Sequence, residues 1–251
     1  MIDDALDAAL ARLARVPRLL VASDYDGVLA PIVSDPAQAR PIPAGTAVLA
    51  ALADLPDTEV TVVSGRGRDD LAALSGLADR VTLVGSHGAE IDGVAAIDDD
   101  ARALHERLRQ RLTALVGDRP GVALEVKPVS VVLHTRNADR PVATEAAEEV
   151  RGGPATWPGV HVTEGKEVIE LAVSTADKGT AVRLLRERTR ADAVLFLGDD
   201  VTDENVFAVL CDADVGIKVG EGDTRARFRV ASPDEAVRAL ETLHHYRISA
   251  I

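Results

Sequence analysis

The chain has few aromatic side chains, few lysines and almost no cysteine. Aromatics make up 2% of its 251 residues, so an interior has to be built from Val, Leu, Ile and Ala, and an apolar fraction of 47% can supply one. Cys211 is the only cysteine, which excludes a disulfide within the chain. No apolar run is long enough to span a bilayer. Residues 1–18 are acidic and amphipathic and lack the basic start and apolar run of a secretory leader. A soluble, cytoplasmic protein with no membrane partner is expected. Basic residues number 28 against 41 acidic ones, and the net charge of -13 argues against a nucleic-acid partner, since phosphate backbones need a basic face. The same field would repel any small anion, so a phosphate site here needs a local cation or a metal. Lysine occurs only at Lys127, Lys166, Lys178 and Lys218; elsewhere the chain uses Arg.

What is present reads as alternating elements. Short β-branched or aliphatic runs bounded by turn residues lie at 19–22, 60–63, 81–84, 194–197 and 215–219, the pattern of buried parallel strands. Helical patterns fall between them at 44–55, 68–77 and 178–188; in the last, Ala181, Leu184, Leu185 and Arg188 form the expected buried stripe. Such alternation predicts an α/β fold with a doubly wound, mainly parallel, Rossmann-like sheet. The rhythm breaks in the middle. A charged helix at 98–116, strands at 122–126 and 129–135, a helix at 142–150 and strands at 160–163 and 167–172 predict an inserted α+β module over 98–174. The flanking segments, 1–97 and 175–251, are then one discontinuous core.

In open α/β sheets ligands bind beyond the carboxyl ends of the strands. Asp24 and Asp26 follow the first strand, Ser64-Gly65-Arg66 the second, Ser86-His87-Gly88 the third, and Asp199, Asp200 and Asp203 the fourth. Each has an ordinary structural reading alone: a solvated turn, a helix N-cap, a structural histidine, an acidic helix start. Together they bring several carboxylates, a hydroxyl and an imidazole to one end of one sheet. So many acids destabilise one another unless a cation binds them.

Asp24-Tyr25-Asp26-Gly27-Val28-Leu29, Ser64, Lys178 and Gly198-Asp199-Asp200 resemble, in type and order, the four motifs of haloacid dehalogenase-like phosphatases. The closer resemblance is to the trehalose-6-phosphate phosphatases. It runs through DGVLAPIVSDPAQA, VVSGR, GSHGAE, LEVKPVSVVLHTR, GKEVIEL, ADKG, GDDVTDENVF and IKVG, nearly the whole chain. Val28 stands where that family usually has Thr, and Thr135 where Tyr is common.

The resemblance implies a phosphatase in which Asp24 attacks phosphorus and forms an aspartyl-phosphate. Asp26 would protonate the leaving oxygen and then activate water, and Ser64 and Lys178 would hold the other phosphate oxygens. It implies Mg2+ as cofactor, held by Asp24, Asp199 and the main-chain carbonyl of Asp26, with Asp200 and Asp203 as further acids of the metal site. Arg66 and His87 are expected to bind substrate, and Lys218 to lie at the rim. Strand alternation puts Glu125 with Lys127 on one face, Ser130 with His134 and Arg136 on the next strand, and Lys166 with Glu170 on the last pair. These paired donors and acceptors suit sugar hydroxyls, though a solvated sheet face with cross-strand ion pairs would look the same. The partner implied is a small sugar phosphate, trehalose-6-phosphate first, with a monomer as the default. Alternatives are a phosphatase for sucrose phosphate or a glycosyl phosphoglycerate, a phosphomutase, or a sensor without turnover.

Overall fold

The computed structural model describes residues 3–77, 80–91, 94, 95 and 99–250. Two compact units result, Met1–Val94 with Ala176–Ile251, and Ala95–Thr175. The predicted helix start at Asp98 lies outside the described residues.

The first unit begins with α1 (Asp4–Leu13), β1 (Leu19–Ser23), α2 (Pro43–Ala53), β2 (Thr58–Val63), α3 (Arg68–Ser75), β3 (Thr82–Gly85), β4 (Glu90–Ile91) and β5 (Val94–Ala95). The second unit holds α4 (Asp99–Val116), β6 (Ala123–Lys127), β7 (Ser130–His134), α5 (Arg140–Gly152), β8 (His161–Gly165) and β9 (Val168–Ala172). The chain then returns to the first with α6 (Lys178–Thr189), β10 (Ala193–Gly198), α7 (Glu204–Phe207), β11 (Val215–Val219), β12 (Phe228–Val230) and α8 (Pro233–Ala250).

The main sheet runs β12-β11-β10-β1-β2-β3-β4-β5. Pairing is parallel from β12 to β3 and turns antiparallel at β4. β1 and β10 are buried at every position, as the unbroken apolar runs require of strands covered on both faces. Alternate residues serve opposite layers. Leu19, Val21, Leu195, Leu197 and Ile217 pack with Leu10 of α1, Leu49 of α2 and Leu240 of α8. Leu20, Ala22, Val194 and Phe196 pack with Val182 and Leu185 of α6 and Phe207 of α7. Phe196 and Phe207 meet edge to face at 5.4 Å, one of the few aromatic contacts so aromatic-poor a chain can make. In α6 the buried residues are Lys178, Gly179, Ala181, Val182 and Leu185, and Leu184 of the predicted stripe is half-exposed. The helix is rotated toward Lys178 and Val182, because the lysine at its first turn is drawn inward by acids.

Helix α8 and strand β12 have no counterpart in the sequence reading. α8 is fastened by Arg247, whose buried guanidinium donates to Thr58 Oγ1 at 2.8 Å and to the carbonyls of Ala14, Val16, Pro17 and Asp57. All five guanidinium donors are used on groups at the amino-terminal ends of β1 and β2, opposite the motif-bearing strand ends.

In the second unit an antiparallel sheet runs β6-β7-β9-β8, and α4 lies against β6, β7 and α5. Val131, Leu133, Ile169 and Leu171 of the sheet and Leu108, Leu112, Ala146 and Val150 of the helices are buried. Among the described residues no helix is long and apolar enough to cross a membrane.

Candidate active site

Asp24 follows β1 at the centre of the main sheet, with β10 on one side and β2 on the other. Its amide donates to the Leu197 carbonyl at 2.9 Å, which fixes it against the end of β10. The carboxylate is buried, accepts from the Tyr25 amide at 2.6 Å and lies 2.8 Å from Lys178 Nζ. Lys178 opens α6, whose N-cap is Asp177, and its side chain is buried despite the unfavourable helix dipole. The compensation is local: Nζ lies 2.8 Å from Asp203 as well and 4.0 Å from Asp200.

Asp203 uses both carboxylate oxygens. Oδ1 takes the Lys178 ammonium, and Oδ2 accepts from the amides of Asp199 at 2.8 Å and Asp200 at 3.0 Å. It braces the loop after β10 and the lysine at once. Asp200 Oδ1 caps the next turn, accepting from the amide and hydroxyl of Thr202 at 2.8 Å. Asp24, Asp199 and Asp203 offer ligand atoms within 4.8 Å of one another, an acidic trio that could hold a metal ion, and Asp200 stands outside it. The donors are all hard oxygens, the set that suits Mg2+, Ca2+ or Mn2+.

Electrostatics in the trio show the same need for a cation. Burial pushes Asp24 well above the usual carboxylate range, against the pull of Lys178, and Asp203 adds to the rise. Asp199 is pushed up to about 6 by burial and by its neighbours Asp203 and Asp200. Burial also raises Asp203, only partly offset by Lys178. Asp200 is held below its ordinary value, since Lys178 and the hydrogen bonds of its turn outweigh burial. Lys178 is held protonated by Asp24, Asp203 and Asp200, although burial opposes it.

Gly27, at φ +75°, lies against Asp199, and a methyl group there would run into that carboxylate. Val28 is buried among core residues. Ser64 is buried at the end of β2, where its hydroxyl accepts from the Arg66 amide at 3.2 Å. The Ser86-His87-Gly88 turn supports this segment from behind. The amide of Ser86 donates to the Arg66 carbonyl at 2.7 Å and that of His87 to the Ser64 carbonyl at 2.9 Å. Ser86 and His87 both have positive φ, and the imidazole sits where a side chain at Gly65 would be. Glu90, the last residue of the GSHGAE motif, anchors the Ser86 hydroxyl, a role the motif alone does not reveal.

One placement differs from expectation. Lys218 is buried, not at a rim, and its ammonium donates to the main-chain carbonyl of Asp199. Its place at the end of β11, beside the acidic loop, was the available signal. Arg66 pairs with Asp26, as described below.

In the second unit one face of the sheet is polar. Register puts Glu125, Lys127, Ser130 and Glu170 on it. Ser130 Oγ donates to Glu170 at 2.6 Å, Lys127 lies 3.4 Å from the same carboxylate, and His134 Nε2 is 3.0 Å from Glu125. Arg136 and Lys166 do not follow strand alternation. β7 ends at His134, and Lys166 stands with Glu167 in the turn joining β8 to β9. Together with His134, these two cations line a cavity of about 420 Å³. Thr135 closes that corner by donating to the Glu167 carbonyl at 3.2 Å.

Residues 22–234 match the family model for trehalose-phosphatase. The chain is 36% identical over 240 residues to the trehalose-phosphate phosphatase of Mycobacterium avium, covering 88% of this chain and 60% of that one. It is 34% identical over 235 residues to the bifunctional trehalose-6-phosphate synthase/phosphatase of Thermoproteus tenax, covering 90% of this chain and 32% of that protein. It thus spans between a third and three fifths of the length of these curated relatives. The fold matches the C-terminal domain of the Candida albicans trehalose-6-phosphate phosphatase with a TM-score of 0.72 at 25% identity, covering 96% of each chain. The chain belongs to the trehalose-phosphatase family.

Proposed function

We propose that this chain hydrolyses trehalose-6-phosphate to trehalose and inorganic phosphate through a phosphoaspartate on Asp24. The observation that carries the reading is a buried carboxylate at the end of the central strand, 2.8 Å from a buried lysine. An aspartate in solution neither needs nor finds such a partner; a nucleophile that must approach an anion does.

The residues divide the work. An Asp24 oxygen attacks phosphorus as the bond to the sugar oxygen breaks, and Asp26 gives that oxygen its proton. Asp26 then takes a proton from water, whose oxygen attacks phosphorus and displaces Asp24, releasing phosphate. Ser64 and Lys178 hold the non-bridging oxygens. Asp24, Asp199 and the main-chain carbonyl of Asp26 would hold Mg2+, with Asp203 and Asp200 shaping the loop that carries Asp199. Bound there, Mg2+ supplies positive charge that offsets repulsion between the carboxylates and the phosphate. On the second unit, the polar face with Glu125, Lys127, Ser130 and Glu170, and the cavity with His134, Arg136 and Lys166, supply charged partners for sugar hydroxyls. The names of the relatives favour trehalose-6-phosphate over other sugar phosphates.

The test is phosphate release from trehalose-6-phosphate, sucrose phosphate and glucose-6-phosphate, with Mg2+ and with chelator. Trehalose-6-phosphate should be preferred and chelator should abolish release. Asp24→Asn, nearly isosteric, should keep the fold and lose turnover. Turnover retained by that variant sinks the nucleophile assignment; a wild type that does not prefer trehalose-6-phosphate sinks the substrate while leaving the chemistry standing. Phosphate moved between sugar positions without release would mark a mutase.

A further inference from the structure

One side chain engages both carboxylate oxygens of Asp26. Arg66 Nε donates to Oδ2 and Nη2 to Oδ1, each at 2.7 Å. The guanidinium is itself tied down. Nη2 also donates to the Pro36 carbonyl at 2.9 Å, Nη1 donates to Asp70 at 3.2 Å, and the group lies 5.6 Å from the centre of the Tyr25 ring. The arginine side chain is 11% exposed. Of its five N–H donors, these contacts leave one for any ligand.

We propose that Arg66 is a positioning residue for Asp26, holding the acid/base carboxylate in one orientation, and not a ligand of the substrate phosphate. The inference rests on the acid/base reading of Asp26 given above. A carboxylate oxygen has about two lone-pair directions. The fork takes one on each oxygen and leaves the others for the leaving-group oxygen and then for water. Without it, a short side chain beside Gly27, only part-buried, would sample several rotamers. Bidentate pairing fixes a plane as well as a distance, which a single ammonium cannot do. Asp70, in the first turn of α3, and the carbonyl of Pro36 keep the guanidinium in that plane.

The experiment pairs Arg66→Gln and Arg66→Lys with Asp26→Asn, singly and together. Phosphate release from trehalose-6-phosphate and from p-nitrophenyl phosphate is measured, with inhibition by inorganic phosphate. Both arginine substitutions should lower kcat on trehalose-6-phosphate by roughly 10–100-fold, the scale of a misplaced catalytic group. They should cost less on the aryl ester, whose leaving group needs little protonation. The inhibition constant for phosphate should stay within about threefold, under 1 kcal/mol. Combined with Asp26→Asn they should add little, as groups acting through one another do. Lysine keeps the charge but not the fork, and should not rescue. A ligand of the phosphate gives the reverse: weaker inhibition by phosphate, equal losses on both esters, recovery with lysine and losses that add to Asp26→Asn. Any of these overturns the proposal, as does a rise in turnover. Asp70→Asn, at an exposed position, loosens the fork without touching the core and should show the same kcat pattern in smaller measure. A wild type that released no phosphate from either ester in Mg2+ would instead strike at the parent reading.

Discussion

At the scale of single residues, the site is crowded on purpose and Gly27 shows by how little. Its φ of +75° is one that a side chain resists, and the space beside it belongs to the Asp199 carboxylate. Gly27→Ala therefore adds two costs, roughly 1–2 kcal/mol of backbone strain and a displaced acid of the proposed metal site. Magnesium titration of phosphate release should show the requirement rising at least about tenfold, the equivalent of 1.4 kcal/mol. An unchanged magnesium dependence in a variant with reduced thermal stability would mean that the strain is real and that Asp199 moves aside freely. The motif DYDG makes this glycine visible in the sequence, but what it makes room for is not. Asp24 and Asp199 are 175 positions apart, and only the fold brings them together. Arg66 and Asp26 are a similar case: each stands in a motif, and the bond between them is a property of two adjacent strands.

At the scale of elements, the strands were legible because continuous apolar runs admit few other readings, and β1 and β10 are buried throughout. Helix α8 was not read, although Ala236, Leu240, Leu243 and Arg247 do recur at helical spacing. An arginine in that stripe breaks an apolar pattern. The structure shows why it is tolerated: each guanidinium donor finds an acceptor, and among the described residues no carboxylate forms an ion pair with it. Arg247→Met keeps much of the volume and removes all five bonds. It should destabilise the protein by roughly 2–4 kcal/mol, at the upper end of single substitutions, because four carbonyls and a hydroxyl lose a buried donor. Thermal or urea denaturation followed by circular dichroism measures this, and a loss under about 0.5 kcal/mol, the range of an ordinary surface substitution, would show that water replaces the guanidinium. In the second unit the polar sheet face followed from alternation, whereas Arg136 and Lys166 escaped it because they sit beyond strand ends, where a period of two no longer holds.

At the scale of the whole molecule, a net charge of -13 and a trio of converging carboxylates make the folded state a poor place for further negative charge. The consequence for stability has a definite sign. Asp199 holds its proton up to about 6 when folded and releases it near 3.8 when unfolded. Below about 4 both states are protonated. As pH climbs from there through 6, the unfolded chain gives up the proton first, so stability is lost over that window. Asp24 and Asp203, raised in the same direction, add to the trend. In chelator the melting temperature should fall as pH rises from about 4 to about 7, and Mg2+ should flatten the curve by binding the ionised Asp24 and Asp199. Asp199→Asn should weaken the dependence in chelator. A melting temperature that climbs steadily over that interval, with or without the ion, would mean that surface charges and not the trio govern stability.

The sequence alone determined the alternation of strand and helix, the order of the motifs and the placement of acids at strand ends. These are local facts, written in hydrophobic period and in the residue that follows each run. It also determined the chemistry on offer, because an aromatic-poor, acidic chain with four lysines, all of them within quoted motifs, leaves few ways to hold an anion. Only the tertiary structure decided which partner each charge takes. Lys178 bridges Asp24 and Asp203, Lys218 holds the Asp199 carbonyl, and Arg66 closes on Asp26. Those pairings depend on the register of parallel strands far apart in the chain and on desolvation at their ends, and neither is set by the residues next to one another in sequence.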